Sequence, residues 1–304
     1  SPRPKCVRGG CTMAHRTLKS LLRKGELLVA PGVYDGISAR IAEKVGFPAL
    51  YMTGYGTVAS HLGLPDAGLA GYESMVDRVR TFSSISSVPL ICDGDTGYGG
   101  YLNVAHTVRG YEAAGAAAIQ LEDQEFPKKC GHTPGRRVIP LQQAAAKIKV
   151  AAEARSSDDF LIVARTDART SYGLDEALRR ADAFLEAGAD VLFVESPESE
   201  EEMAAICGHF PDTPLLVNVV EGGKTPVLPR ERYVELGYQL AIYPATGFLA
   251  AGRGIEAVYD HIKQTGSSVG AENELADFKD FSLTMGFQQV WDFDRAHADL
   301  ESKD

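Results

Sequence analysis

The sequence predicts an α/β fold, a (β/α)8 barrel of the TIM type, and three features predict it. Eight short apolar runs, rich in β-branched residues, recur along the chain. An amphipathic stretch of helical spacing follows each run. Several of those stretches end in Gly just ahead of the next run, the usual helix C-cap.

In order, LLVAPG (27–32) precedes ISARIAEKVG, and ALYMTG (49–54) precedes YESMVDRVRTFSS. VPLICDGD (88–95) leads to NVAHTVRGYEAAG, and AAIQLED (117–123) to LQQAAAKIKVAAEARS. DFLIVARTD (159–167) leads to LDEALRRADAFLEAG, and DVLFVES (190–196) to SEEEMAAICGHF. TPLLVNVV (213–220) leads to PRERYVELG, and QLAIYP (239–244) to GFLAAGRGIEAVYDHIKQTG. Strands this apolar on both faces suit a parallel sheet buried under helices. A doubly wound open sheet is the competing arrangement, but no GxGxxG follows the first strand and eight units is the barrel number.

Residues 1–14 read as a tail and 15–304 as a single barrel domain with a C-terminal helical extension from about 250. The helical pattern past 270 carries Phe278, Phe281, Phe287, Trp291 and Phe293. That is too apolar for an isolated surface helix, so this extension is expected to pack on the barrel or on a partner subunit.

The net charge of −10 argues against a nucleic-acid partner. No apolar stretch reaches the roughly 18 residues of a membrane span. The basic N-terminus has no apolar segment behind it and does not read as a secretory signal. The last residues, ESKD, match no peroxisomal or ER-return signal. Five thinly spread cysteines, Cys6, Cys11, Cys92, Cys130 and Cys207, fit a reduced cytoplasmic protein. With no CxxC and no HExxH, a zinc site is not expected.

In a barrel, chemistry gathers at the C-terminal strand ends. Those ends hold Asp93 and Asp95, Glu122 and Asp123, Arg165 and Asp167, Glu195, and Asn218 through Glu221. Such acids can equally be helix N-caps or solvated loop residues. Their number at one rim favours a metal site, because a cation relieves the mutual repulsion of converging carboxylates. Oxygen-only ligands suit Mg2+ or Mn2+. Asp93 and Asp95, two apart, are expected to lean toward one ion.

PKKCGHTPG (127–135) reads as a mobile lid after the fourth strand. Lys128, Lys129 and His132 are expected to lower the pKa of Cys130, although an incidental surface thiol would fit the same residues. Arg165 is the natural bidentate clamp for a carboxylate, and Asn218 a further donor. Thr53, Gly54 and Tyr55 offer backbone N–H groups and hydroxyls to an anionic head group; for Tyr55, simple packing is the alternative.

With KKCGH on the page, the chain resembles the isocitrate lyase / phosphoenolpyruvate mutase superfamily over nearly all of residues 15–300. The pieces that carry the resemblance are PGVYDGISA, YMTGYG, LGLPDAG, DGDTGYGG, LEDQEFPKKCGH, ARTDAR, FVESP and NVVEGGKTP. The resemblance implies an α/β barrel, a homotetramer that exchanges its eighth helix between paired subunits, and Mg2+ or Mn2+ to bind a 2-oxo acid or its enolate. It implies that Asp93 contacts the metal, with Asp66, Asp95 and Glu122 around it through water. It makes Cys130 the proton donor of the lyase branch. Arg165, Glu195 and Asn218 would contact the substrate, with Gly131, His132 and Pro244 beside it, and Thr53, Gly54 and Tyr55 would hold its carboxylate.

The implied activity is Mg2+-dependent cleavage of a carbon–carbon bond in a 2-hydroxy dicarboxylate, first of all 2,3-dimethylmalate to pyruvate and propanoate. Oxaloacetate hydrolysis to oxalate and acetate is the alternative, then 2-methylisocitrate cleavage. The hydrolases carry Ser where this chain has Pro244 in IYPATG, which weakens the first alternative. Tyr55 is the candidate acceptor of the substrate's hydroxyl proton. A barrel that binds metal and metabolite without catalysis is the reading from another class.

Overall fold

The computed structural model describes residues 17–132 and 135–298. The expectations for residues 1–14, Cys6, Cys11, Pro134 and ESKD lie outside them.

Eight parallel strands form the core: β1 (Leu28–Val33), β2 (Leu50–Met52), β3 (Leu90–Asp93), β4 (Ala118–Glu122), β5 (Leu161–Thr166), β6 (Val191–Val194), β7 (Leu216–Asn218) and β8 (Leu240–Tyr243). Each pairs with the next, and β8 returns to β1 with Leu28 opposite Leu240. A single bridge, Leu192 to Leu215, closes β6 onto β7, with the Leu192 N–H donating to the Pro214 carbonyl at 3.0 Å. The expected barrel is therefore borne out.

Side chains alternate across each strand. One set fills the barrel: Leu28, Ala30, Tyr51, Ile91, Ala118, Leu161, Val163, Val191, Phe193, Leu216, Leu240 and Ile242 are all buried together. Leu18, from the short helix Leu18–Leu21, joins that cluster. The other set packs outward against the helices, in a larger cluster with Met75, Phe82, Ile148 and Phe184. Burial on both faces explains why the strands read as continuous apolar runs rather than alternating ones.

The eight anticipated helices are present, over Gly36–Val45, Tyr72–Ile85, Tyr101–Ala114, Leu141–Ala154, Leu174–Glu186, Glu200–His209, Arg230–Leu236 and Thr246–Thr265. Sequence reading missed the helix Gly54–Leu62, which starts directly at the end of β2 with Thr53 as its N-cap. The C-terminal extension folds as two helices, Phe278–Met285 and Phe287–His297, separated at Gly286, whose φ of 107° suits glycine. It touches the barrel only in part: Lys44 Nζ donates to Thr284 Oγ1 at 3.1 Å. Phe278 is 85% exposed and Phe293 62%. Among the described residues no helix is long and apolar enough to cross a membrane.

Candidate active site

The inward set that fills the barrel changes character toward its C-terminal end. Two residues beyond Tyr51 stands Thr53, beyond Ile91 Asp93, and beyond Val163 Arg165. Beyond Phe193 stands Glu195, beyond Leu216 Asn218, and beyond Ile242 Pro244. The same alternation that packs the core thus aims these side chains into one mouth. A cavity of about 250 Å³ opens there. Thr53, Tyr55, Asp66, Asp93, Cys130, Gly131, His132, Arg165, Asn218 and Pro244 all line it. Gly54, Asp95, Glu122 and Glu195 stand behind that lining, in contact with it. The structure therefore brings every anticipated site residue to one place.

Its acidic wall is built around a lysine. Lys128 Nζ lies 2.6 Å from Asp66 Oδ1 and 2.9 Å from Asp95 Oδ1, all three side chains buried. Burial works against the ammonium, yet Asp95, Glu122 and Asp66 outweigh it and hold the Lys128 pKa well above its ordinary value. Burial pushes Asp95 up to about 7 against the opposing pull of Lys128. It also raises Glu122 well above the carboxylate range despite Arg165 beside it. Asp93 and Asp95 do converge, but through a turn rather than strand alternation. β3 ends at Asp93, Asp95 takes a left-handed φ of 48°, and its N–H donates to Asp93 Oδ1 at 2.9 Å. Tyr98 and Ser196 also hold positive φ, at 59° and 60°, so backbone strain is concentrated beside the site.

Gly54 has a steric reason. A Cβ there would stand 2.3 Å from Asp93 Oδ2. It opens the helix Gly54–Leu62, whose first-turn N–H groups have no intrahelical acceptor and favour an anion. Tyr55 sits at the rim, its ring 4.9 Å from that of Phe248 in edge contact. Sequence reading missed Tyr51, whose hydroxyl donates to Gln120 Oε1 at 3.1 Å while the residue lines the cavity. Counting back two from Thr53 would have found it.

The loop after β4 is seated over the mouth. Gln124 holds its base, donating from Nε2 to the Lys129 carbonyl at 2.8 Å and accepting from the Lys129 N–H at 2.9 Å. Ser196 Oγ donates to the Gly131 carbonyl at 3.0 Å. A Cβ on Gly131 would meet Arg165 Nη2 and Glu195 Oε2, each at 2.5 Å. Neither Gln124 nor Ser196 carries a motif signal; only the folded loop shows their use.

Two expectations need correction. Cys130 does not have a lowered pKa: burial raises it. Lys128 is committed to Asp66 and Asp95, and Lys129 turns outward to the Gly135 carbonyl at 3.2 Å. Burial also lowers the pKa of His132, which is therefore neutral at pH 7. Its Nδ1 faces the Lys224 N–H at 3.3 Å, and its Nε2 lies 3.4 Å from Asn218 Nδ2 and 3.6 Å from Glu195 Oε1. None of the three cations supplies the charge expected of it. The bidentate fork of Arg165 is also not open. Nε and Nη2 each donate to Asp167 at 2.9 Å, with Glu122 Oε2 and Glu195 Oε2 each at 3.3 Å. Asn218 Nδ2 donates to Glu195 Oε2 at 2.9 Å.

Among the described residues no three of His, Cys, Asp and Glu converge tightly enough to chelate a bare ion. The donor chemistry nevertheless fits a hydrated divalent cation. Four buried carboxylates share the wall with one ammonium and part of one guanidinium. Asp66 Oδ1 and Asp95 Oδ1 face the Lys128 ammonium and Glu122 Oε2 faces the Arg165 guanidinium, so the acids outnumber the cations that neutralise them. Mg2+ keeps several of its waters and takes few direct carboxylates, which suits this spacing.

Comparison with known proteins follows the same lines. The phosphoenolpyruvate phosphomutase family profile matches residues 18–263. A 2,3-dimethylmalate lyase of Eubacterium barkeri is 43% identical over 281 residues, 92% of this chain and 97% of its own length. A 2-methylisocitrate lyase of Bacillus subtilis (strain 168) is 36% identical over 280 residues, 92% of each chain. The structure of an oxaloacetate acetylhydrolase in complex with the inhibitor 3,3-difluorooxalacetate superposes with a TM-score of 0.89 at 35% identity. That match covers 93% of this chain and 97% of the hydrolase.

Proposed function

The chain belongs to the phosphoenolpyruvate phosphomutase family of the isocitrate lyase superfamily, and from that membership we propose that it is a carbon–carbon lyase. Its substrate is a 2-hydroxy dicarboxylate, 2,3-dimethylmalate, split to pyruvate and propanoate. The observation that carries the reading is the placement of Cys130, a thiol kept protonated by burial, in one cavity with Arg165 and a buried acidic wall. The 43% identity to a 2,3-dimethylmalate lyase supports this substrate.

In this reading Asp93, Asp66, Asp95 and Glu122 would hold Mg2+ or Mn2+, which when bound would supply Lewis-acid polarisation of a substrate oxygen. The helix start at Gly54 and Tyr55, with Thr53, receives the C1 carboxylate. The second carboxylate lies toward Arg165 and Asn218. Val220, Ile242, Pro244, Phe248 and Leu249 line the rest of the cavity and accept the two methyl groups.

Loss of the hydroxyl proton lets the C2–C3 bond break, and its electron pair moves onto C3 and the adjoining carboxylate. Arg165 stabilises that charge. The Cys130 thiol gives its proton to C3, forming propanoate, and the hydroxyl proton balances the one Cys130 spends. Tyr55, together with Tyr51, lines the cavity, and these two supply the tyrosine hydroxyls available to the substrate's hydroxyl group. The seated loop excludes water, which would otherwise protonate the intermediate unselectively.

The chain further assembles as a homotetramer with exchanged C-terminal helices. The exposure of Phe278, Phe287, Val290 and Phe293 on the two last helices supports this. Removing residues 276–304 should lower the number of chains per particle measured by sedimentation.

The function is tested by product analysis with Mg2+ over 2,3-dimethylmalate, 2-methylisocitrate, oxaloacetate and malate. Pyruvate with propanoate from the first supports the reading. Oxalate with acetate from oxaloacetate, and no pyruvate from dimethylmalate, would overturn it.

A further inference from the structure

Asp167 is the strand-end acid that the proposed reaction leaves without a task. It follows Arg165 by two residues at the end of β5, so both side chains lean to the same side. Arg165 donates to it through Nε and Nη2, a fork-to-fork pair with both contacts at 2.9 Å. A second guanidinium takes the same carboxylate, Arg136 Nη1 to Asp167 Oδ1 at 2.5 Å. Arg136 is itself fixed: its Nη2 donates to Thr170 Oγ1 at 2.6 Å, and Ser171 Oγ donates to its carbonyl. The Asp167 N–H is held by Asp123 Oδ1 at 2.8 Å, and Arg180 Nη1 anchors Asp123 in turn.

We propose that Asp167, clamped by Arg136, is a positioning residue that locks the Arg165 guanidinium in the plane it presents to the cavity. Arg165 is long and has many rotamers, and a clamp is needed to hold it between Glu122 and Glu195. Asp167 meets that need without reaching the substrate. It does not line the cavity, and its side chain is 0% exposed. Burial alone would neutralise such a carboxyl, but Arg165 and Arg136 outweigh it, so the clamp stays ionised. A buried ion cluster kept for stability alone would be a weak choice, since apolar packing usually does as well. Lys128 and Arg136 both lie between β4 and the helix Leu141–Ala154, so this connection is tied to the acidic wall through Lys128 and to the clamp on Arg165 through Arg136.

The inference rests on the proposed reading only in taking Arg165 as a substrate contact. Its test is a double-mutant cycle of Asp167→Asn and Arg165→Lys, read as kcat and KM for dimethylmalate. Asp167→Asn should lower kcat/KM about tenfold or more in the wild-type background, and less than about threefold beside Arg165→Lys, because its effect passes through Arg165. Equal losses in both backgrounds would overturn the proposal. Where the wild-type protein turns over another acid of the panel instead, the cycle is run on that acid. Failure of the substrate assignment and failure of this inference then read out separately. If Asp167→Asn does not fold, Arg136→Gln takes its place in the same cycle, with the same non-additivity expected and additivity again decisive against.

Discussion

Lys128 and Asp66 form a buried ion pair, Nζ to Oδ1 at 2.6 Å, inside the acidic wall of the cavity. The lysine belongs to the loop after β4, so this loop brings its own cation to acids proposed to surround a metal. Removing one partner of a buried pair typically costs about 3–5 kcal/mol. Lys128→Met should therefore melt well below the wild type without divalent ions and recover on adding Mn2+, which it should also bind more tightly. Thermal melts and an electron-resonance titration with Mn2+ check both. A variant whose melting ignores Mn2+ would count against the metal assignment.

Cys130→Ser should retain the fold and Mn2+ affinity while losing nearly all turnover, at least about 100-fold, since a hydroxyl is a far weaker acid than a thiol. Because burial raises the Cys130 pKa, alkylation by iodoacetamide should be slow at pH 7 and quicken as the pH climbs toward 9 and above. Fast labelling at neutral pH would show a thiolate and remove the proton-donor role.

Gly54 admits Asp93 because it has no side chain. In Gly54→Ala the new Cβ would lie 2.3 Å from Asp93 Oδ2, so the carboxylate must move. A destabilisation of about 1–3 kcal/mol is expected. The more telling change is a loss of Mn2+ affinity, measured by titration; unchanged affinity would separate Asp93 from the metal.

Asp123 gives a pH signature. Burial pushes its pKa up to about 6, against about 4 in an unfolded chain. The folded state thus holds more protons between those values. Its contribution is complete below about pH 4 and is lost as the pH rises through about 6, a change of about 3 kcal/mol. Asp95, pushed up to about 7, adds a slope of the same sign. Urea unfolding between pH 4 and 8 should show stability falling across that window, and Asp123→Asn should flatten the part near pH 6. An equal slope in both proteins would refute the shift.

Much of the site was legible because a barrel turns sequence alternation into geometry. Asp93, Arg165, Glu195 and Asn218 were found as the polar ends of apolar runs, and that is where they stand. The charge state of Cys130 was not legible. Neighbours in sequence, Lys128, Lys129 and His132, each point elsewhere once folded, and burial then decides the thiol. The open clamp expected of Arg165 failed for a related reason. Its partner Asp167 was visible two residues away, but the contact of Arg136, 31 residues apart, was not.

The sequence by itself determined the eight strands, their order and the rim that carries the polar residues, because strand period and apolar burial are local properties. Only the tertiary structure decided which charges meet. Coulomb energy and desolvation depend on distances between residues far apart in the chain, and no local pattern encodes them.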